Sequence, residues 1–195
     1  MKNSKCLNYF RVLLFSALAS LWLTSCADES RRETPPIVKN ISLASEGVVA
    51  VFDFEVTKHW IYYFQISFKF PEENQIERSR VRKIIGGHEL DKNNNPIDPG
   101  ILTPLSLIIY NKNTDPATVV YKKSITPFLT GWGGNDFTKI IGHCDLAPGK
   151  YAISLQSHAQ PKEYESVPTS FVIGMDKFKV SFDPKNIDRS KTCPQ

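Results

Sequence analysis

Histidine and cysteine side chains provide many of the nucleophiles, general bases and metal ligands of proteins, and here they are scattered along the chain. The four histidines fall in predicted turns, on a predicted strand and after one: His59, His88, His143 and His158. No two of them have metal-ligand spacing, such as i, i+2 on a strand. Cys144 follows His143, but neighbouring strand residues point to opposite faces, so the two do not form a Cys–His couple. We therefore expect each histidine to be structural or exposed.

The common catalytic and metal-binding motifs are missing as well. The sequence contains no H-E-x-x-H, G-x-S-x-G, P-loop or G-x-G-x-x-G pattern. A partial calcium loop starts at Asp91, with Asn93 and Asn95 at its third and fifth positions. Pro96 replaces the glycine that permits the sharp turn, and Leu102 replaces the glutamate that binds calcium through both oxygens. We predict a polar loop here, in a protein that is not an enzyme and has no metal or cofactor.

One aromatic loop is the first candidate for a binding site. The segment 129–137 (LTGWGGNDF) places Trp132 among glycines, which offer no side chains to pack against it. Loops carry function disproportionately, and tryptophan is enriched at binding hot spots. We predict that Trp132 binds a partner and that Asn135 and Asp136 add polar contacts. The alternative is that Trp132 folds back and caps the end of the domain.

A basic segment before Gly86-Gly87 is the second candidate. Residues 72–85 (EENQIERSRVRKII) lack alternation and are rich in helix formers, which predicts a helix that crosses between two strands. Its apolar residues are expected near one side: Ile76, Val81, Ile84 and Ile85. Arg78 and Arg82 form a basic face typical of a solvated helix surface, and this face is the next candidate if the Trp132 loop is not the site.

The rest of the chain alternates between apolar and polar residues, as half-buried strands do. In residues 48–56, one face consists of Val48, Ala50, Phe52, Phe54 and Val56. In residues 60–70, one face consists of Trp60, Tyr62, Phe64, Ile66, Phe68 and Phe70. Residues 57–59 form a turn between them, so we expect these two strands to pair as a hairpin.

Further strands are predicted by short β-branched or aromatic runs between turn residues. They are residues 105–111, 118–125, 137–144, 151–157 and 169–175, with 178–182 as a final candidate. Seven or eight antiparallel strands predict a mainly β fold. We expect an antiparallel β-sandwich, immunoglobulin-like or jelly-roll, with one inserted helix.

The first 25 residues have the features of an export signal. Residues 1–11 carry three positive charges and no negative one, and the uncharged run 12–22 (VLLFSALASLW) is too short to span roughly 30 Å of hydrocarbon. The signal ends at Leu23-Thr24-Ser25-Cys26, which resembles the bacterial lipobox. That resemblance implies cleavage before Cys26 and lipid attachment to it, with several acyl chains that hold the protein on a membrane. The alternative, an ordinary secretory signal, normally ends in an A-x-A-like site.

The same resemblance bears on location and domain organisation. Ala27 after Cys26 favours the outer membrane, facing the periplasm, over the inner membrane. Residues 26–40 are polar and contain prolines, so we predict the lipidated cysteine and a flexible tether there. The β-sandwich domain is assigned to residues 41–182, and a polar C-terminal tail to residues 183–195.

Two cysteines remain after processing, Cys144 and Cys193. An oxidising compartment favours a disulfide between them, and closing a loop of about 50 residues is worth ~4 kcal/mol in the chain-entropy model. The alternative is two thiols too far apart to bond. Residues 1–25 carry three of the chain's four net positive charges, which leaves +1 for the mature protein. Such a near-neutral domain gives no support for nucleic-acid binding.

The body also resembles an uncharacterised family of proteobacterial lipoproteins with a single β-sandwich-like domain. The resemblance covers roughly residues 40–175, through GVVAVFDFEV…WIYYFQISFKF, the basic helix before Gly86-Gly87, and LAPGKYAISL. It implies a fold and a location but no mechanism. We expect a non-catalytic module that binds a protein in the periplasm, in its most concrete form an immunity protein against a secreted effector. The alternatives are an envelope structural or carbohydrate-binding module and an enzyme of unrecognised type.

Overall fold

The computed structural model describes residues 33–175. Within them lie nine strands, an α-helix and a 3₁₀ helix at Lys162–Ser166: β1 (Ile37–Ile41), β2 (Gly47–Val56), β3 (Trp60–Lys69), α1 (Gln75–Ile85), β4 (Leu105–Asn111), β5 (Thr118–Ile125), β6 (Gly131–Trp132), β7 (Asp136–Leu146), β8 (Gly149–Ser157) and β9 (Thr169–Met175). The predicted signal, Cys26, Cys193, strand 178–182 and tail 183–195 lie outside the described residues.

Two antiparallel sheets pack face to face, which confirms the predicted β-sandwich. The five-stranded sheet has the order β1-β9-β3-β7-β6, and the four-stranded sheet has the order β2-β8-β4-β5. Aromatic side chains join the two layers: the ring of Phe64 in β3 stacks on Tyr121 of β5 at 6.4 Å, and Phe52 of β2 meets Phe171 of β9 at 6.1 Å. The core therefore lies between the inner faces of both sheets.

The predicted hairpin of the first two aromatic strands is wrong. β2 pairs with β8, whereas β3 pairs with β7 and β9, so residues 57–59 carry the chain from one sheet to the other. Two strands with one apolar face each bury those faces equally well side by side or across a sandwich. Alternation alone therefore does not distinguish the two arrangements.

The predicted apolar faces of these strands are confirmed for most of their length. Phe54 and Val56 in β2 are buried, as are the residues of the β3 face from Tyr62 to Phe70. Val48 and Trp60, near the starts of the two strands, are the exceptions, with 62% and 38% of their surfaces exposed. The register of β2 shifts between Val48 and Ala50, and such a bulge turns the residues before it away from the face they would otherwise share.

The sandwich begins earlier than predicted. β1 starts at Ile37, inside the predicted tether 26–40, and pairs with β9 along its whole length. Ile37 is buried, and the backbone of Glu33 accepts a hydrogen bond from the amide of Glu55. The apolar residues of β1 follow a charged, proline-containing stretch, and that local composition concealed the strand.

Helix α1 connects β3 in one sheet with β4 in the other. Asn74 caps its start, its side chain accepting a hydrogen bond from the Glu77 amide, so the helix begins three residues later than predicted. Gly86 ends it with a φ of 90°. Val81 and Ile85 are buried as expected, but Ile76 is 81% exposed and does not join the apolar side. No helix among residues 33–175 is long and apolar enough to span a membrane.

Candidate functional site

One face of helix α1 forms a wall of an open groove. Gln75, Arg78, Ser79 and Arg82 follow the spacing i, i+3, i+4, i+7, which places their side chains in one row along a helix. The adjoining side of the helix carries Val81 and Ile85 into the core. The helix therefore separates its packing surface from a polar, basic surface that faces the groove.

Trp132 forms the facing wall. It lies in β6, at the edge of the five-stranded sheet, directly opposite Phe137 of β7. Residues directly opposite in an antiparallel pair point to the same side of the sheet, so both rings face α1. Trp132 is 57% exposed, and its ring contacts the ring of His88 at 4.6 Å between centroids. The alternative in which Trp132 folds back as a buried cap is therefore wrong.

The floor of the groove is aromatic and lies against two guanidinium groups. Phe137 is buried and packs on Phe70, with 4.8 Å between the ring centroids. The Arg78 guanidinium lies 5.9 Å from the Phe70 ring and 6.0 Å from the Phe137 ring, and that of Arg82 lies 6.0 Å from the Phe137 ring. Such cation–π contacts hold the arginines at the groove without neutralising their charge.

The two groove arginines differ from the third arginine of the helix in their partners. Arg80 forms an ion pair with Glu77 at 2.8 Å and also donates to Ser166. Neither Arg78 nor Arg82 forms an ion pair with any residue of the described range 33–175. Arg82 Nη2 lies 3.3 Å from Nδ1 of His88, which accepts, since a guanidinium can only donate. The groove, with a volume of about 270 Å³, thus offers two guanidiniums without carboxylate partners.

The structure brings the two predicted candidates together in one groove, but two of the predicted residues lie outside it. Trp132, Arg78 and Arg82 line the same groove. Asp136 does not, because it neighbours Phe137 on the strand and so points to the other face, where its Oδ2 accepts a hydrogen bond from Ser67 at 2.8 Å. The exposed Asn135 lies in the turn before β7, where its carbonyl accepts from the Phe70 amide, and it does not line the groove either. Asn135 and Asp136 therefore add no polar groups to the groove itself, and their contact with a partner stays a prediction.

Several groove residues were not predicted. Helical periodicity predicts that Gln75, Ser79 and the two arginines share one face of the helix. The sequence does not show whether that face binds a ligand or only contacts solvent. The contact of His88 with Trp132 depends on the path of the loop after Gly86, and the burial of Phe137 depends on the pairing of β3 with β7. Neither has a local signal in the sequence.

The partial calcium loop has a structural explanation. Asp91 Oδ1 accepts hydrogen bonds from the backbone amides of Asn93 and Asn95, both at 2.8 Å. These bonds, the one from Asn95 first, lower the pKa of the Asp91 carboxyl. Its charge therefore stabilises the turn itself. Among residues 33–175, no group of three or more His, Cys, Asp or Glu side chains is arranged to hold a metal ion.

The remaining histidines and the cysteine lie apart from the groove. His59 Nε2 is 2.8 Å from Asp145, and His158 Nε2 is 2.7 Å from the Ser106 hydroxyl. Cys144 is fully buried in β7, while His143 before it is exposed. The two therefore point to opposite faces, as predicted. The partner predicted for Cys144, Cys193, lies outside the described residues, so the disulfide stays a prediction.

Comparison with known proteins finds a matching family and a solved structure with a similar fold. Residues 38–175 match the profile of a family described as a domain of unknown function (DUF5625). A crystal structure of a protein from Sulfurospirillum deleyianum superimposes with a TM-score of 0.60 and 19% sequence identity, and the match covers 73% of this chain and 98% of that one. At that identity the likeness shows a shared fold alone. No curated protein matches the sequence.

Proposed function

Because this chain belongs to the family described as a domain of unknown function, DUF5625, we propose its function from the groove itself. The protein is a non-catalytic binding module, held on the outer membrane by lipid on Cys26, and the groove between α1 and Trp132 takes a periplasmic protein partner. The family match over residues 38–175 carries no activity and no location, so the binding role depends on the groove.

The observation that carries this proposal is the exposed ring of Trp132 beside two arginines. Binding pockets are concave and combine aromatic side chains with a few polar groups, as this groove does. Tryptophan and arginine are the residues most often found at the centre of protein interfaces, where they carry most of the binding energy. Trp132 is already held in place by His88 and by its strand, so little conformational freedom is lost when a partner covers it.

The position of the groove also fits a membrane-anchored binder. β1 and β6 are the two edges of the five-stranded sheet, four strand spacings or about 19 Å apart. β1 begins at Ile37, which is in register with Phe64 of β3. Trp132 is in register with Phe68 of β3, about 13 Å further along that strand. The groove therefore lies at the corner of the sheet diagonally opposite the start of β1.

The concrete form of this proposal is an immunity protein that occupies a toxic effector delivered to the periplasm. A small tethered sandwich with a binding groove at one corner suits that task. The neighbouring gene provides a rapid check, because an immunity protein is expected beside a gene for a phospholipase, nuclease or peptidoglycan hydrolase. A carbohydrate ligand for Trp132 is the competing interpretation.

Photo-crosslinking in living cells tests the proposal. The full chain carries p-benzoylphenylalanine in place of Ser79, which lines the groove, and the matched control carries it in place of Ile76, which lies on the same helix and is 81% exposed. We expect a protein adduct from position 79 that Trp132→Ala abolishes and that position 76 does not give. No adduct at position 79, or the same adduct at both positions, would contradict a protein-binding groove. Adducts with glycan strands instead of protein would favour carbohydrate binding.

A further inference from the structure

The charges around the groove determine what kind of partner surface it can accept. Three basic side chains of the described range have an acidic partner: Lys39 pairs with Glu33, Lys112 with Asp53, and Arg80, on the same helix as the groove arginines, with Glu77. Arg78 and Arg82 are partly buried, yet neither has such a partner within residues 33–175.

Carboxylates lie at the rim of the groove, but none of them pairs with Arg78 or Arg82. Glu72 lies beside Gly134, and Asp98 lies beside Gly87 next to Arg82. Asp136 accepts a hydrogen bond from Ser67 on the other face of the sheet. None of the three forms an ion pair with a groove arginine. The two guanidiniums therefore keep donors in the fixed fork that matches a carboxylate.

We infer, on the basis of the proposed function, that the groove recognises an acidic segment of its protein partner. The carboxylate of a Glu or Asp side chain binds between Arg78 and Arg82, and a neighbouring apolar side chain packs on the ring of Trp132. The two arginines are four positions apart on one helix face, a spacing that places their Cβ atoms about 6 Å from each other, and both guanidiniums lie 6.0 Å from the ring of Phe137. One carboxylate can therefore bridge them.

Size and charge favour a peptide over a phosphate-bearing ligand. Two guanidiniums and one indole ring form a compact site of about 270 Å³, large enough for one or two side chains. Nucleic acids and anionic membranes are bound through extended basic surfaces, whereas residues 26–195 carry a net charge of only +1. The groove also lies at the corner of the sheet opposite Ile37, the first residue of β1.

Equilibrium dialysis of the full chain in mild detergent tests this inference. The probes are two tritium-labelled capped peptides, acetyl-Gly-Leu-Glu-Leu-Gly-amide and its glutamine counterpart, which differ by one carboxylate. Hydrogen bonds to charged groups are strong enough that we expect the glutamate peptide to bind about tenfold tighter or more. Arg82→Gln and Arg78→Gln should each remove most of this preference. Arg80→Gln, the matched control on the same helix, should leave it unchanged, and thermal melting should show that all three variants fold.

The results separate this inference from the proposed function. If the wild-type protein binds both peptides equally or neither, while the cross-link from position 79 persists, the groove binds a protein but not through a carboxylate. If Arg80→Gln reduces the preference for the glutamate peptide as much as Arg82→Gln does, the preference depends on the net charge of the helix and not on the groove, and the inference is wrong. Displacement of the glutamate peptide by millimolar inorganic phosphate, or binding to phosphatidylglycerol vesicles that Arg82→Gln abolishes, would overturn it in favour of a phosphate ligand.

Discussion

Lys139 provides the sharpest test of how the region behind the groove is packed. It lies two residues after Phe137 in β7 and points to the same side, only 2% exposed, with Nζ 5.8 Å from the ring of Phe68. Burial lowers its pKa from 10.5 to about 8, and the charge of Asp98 only partly offsets this. A drop of that size corresponds to a cost of ~3 kcal/mol for keeping the amine charged in the folded protein.

The pH dependence has a definite sign. Between pH 8 and pH 10.5 the unfolded chain binds a proton at this lysine that the folded protein has released, so the free energy of unfolding rises with pH. The penalty is fully present below pH 8 and disappears as the pH approaches 10.5. From the two pKa values, roughly 2 kcal/mol of the penalty is lost between pH 7 and pH 9.5.

Lys139→Met removes the amine while keeping most of the volume. We expect the variant to exceed the wild type in free energy of unfolding by ~3 kcal/mol at pH 7 and by ~1.5 kcal/mol at pH 9.5. Urea denaturation at both pH values measures this, with Met in place of the exposed Lys122 as control. An equal difference at both pH values, or a destabilised variant at both, would show that Lys139 is not a charged amine held in the core.

Three further outcomes test other parts of the account. Cys26→Ala should abolish labelling by radioactive palmitate and leave unprocessed precursor; palmitate incorporation into the variant would refute lipidation at this residue. Cys144 and Cys193 should resist alkylation in exported protein until a reductant is added, and two freely alkylated thiols by mass spectrometry would exclude the disulfide. Gly86→Ala should unfold several degrees lower than Gly47→Ala. Both glycines have positive φ, but a Cβ at position 86 would lie 2.4 Å from the facing backbone, whereas position 47 has open space. Equal melting temperatures would contradict this.

The sequence predicted the elements of the sandwich well because each strand carries its own signal. β4, β5 and β9 begin and end at the predicted residues, since turn residues flank each of them closely. Local patterns do not decide which strands pair. The aromatic faces of β2 and β3 would be equally buried in a hairpin, so their true partners were missed. β1 was missed because it follows a charged, proline-containing stretch.

The candidate site was found only in pieces for the same reason. Trp132 and the arginines at positions 78 and 82 were singled out by residue type, but as two alternatives. They share a groove because β3, which ends just before α1, pairs with β7, which pairs with β6. Asp136 was misassigned because the extent of β7 fixes which face it occupies. His88 and Phe137 join the site through long-range packing that no spacing indicates.

The most direct test of the binding groove is Trp132→Ala in the full-length protein, measured against the partner captured by cross-linking at position 79. Truncation of a central tryptophan costs 2 kcal/mol or more, so we predict that affinity falls about thirtyfold. Because the ring is 57% exposed, the melting temperature should fall by less than about 5 °C. Ile76→Ala, the matched control, should change neither. Unchanged affinity of the Trp132→Ala variant, or a fall in melting temperature of about 10 °C or more like that expected for a core aromatic, would contradict the account.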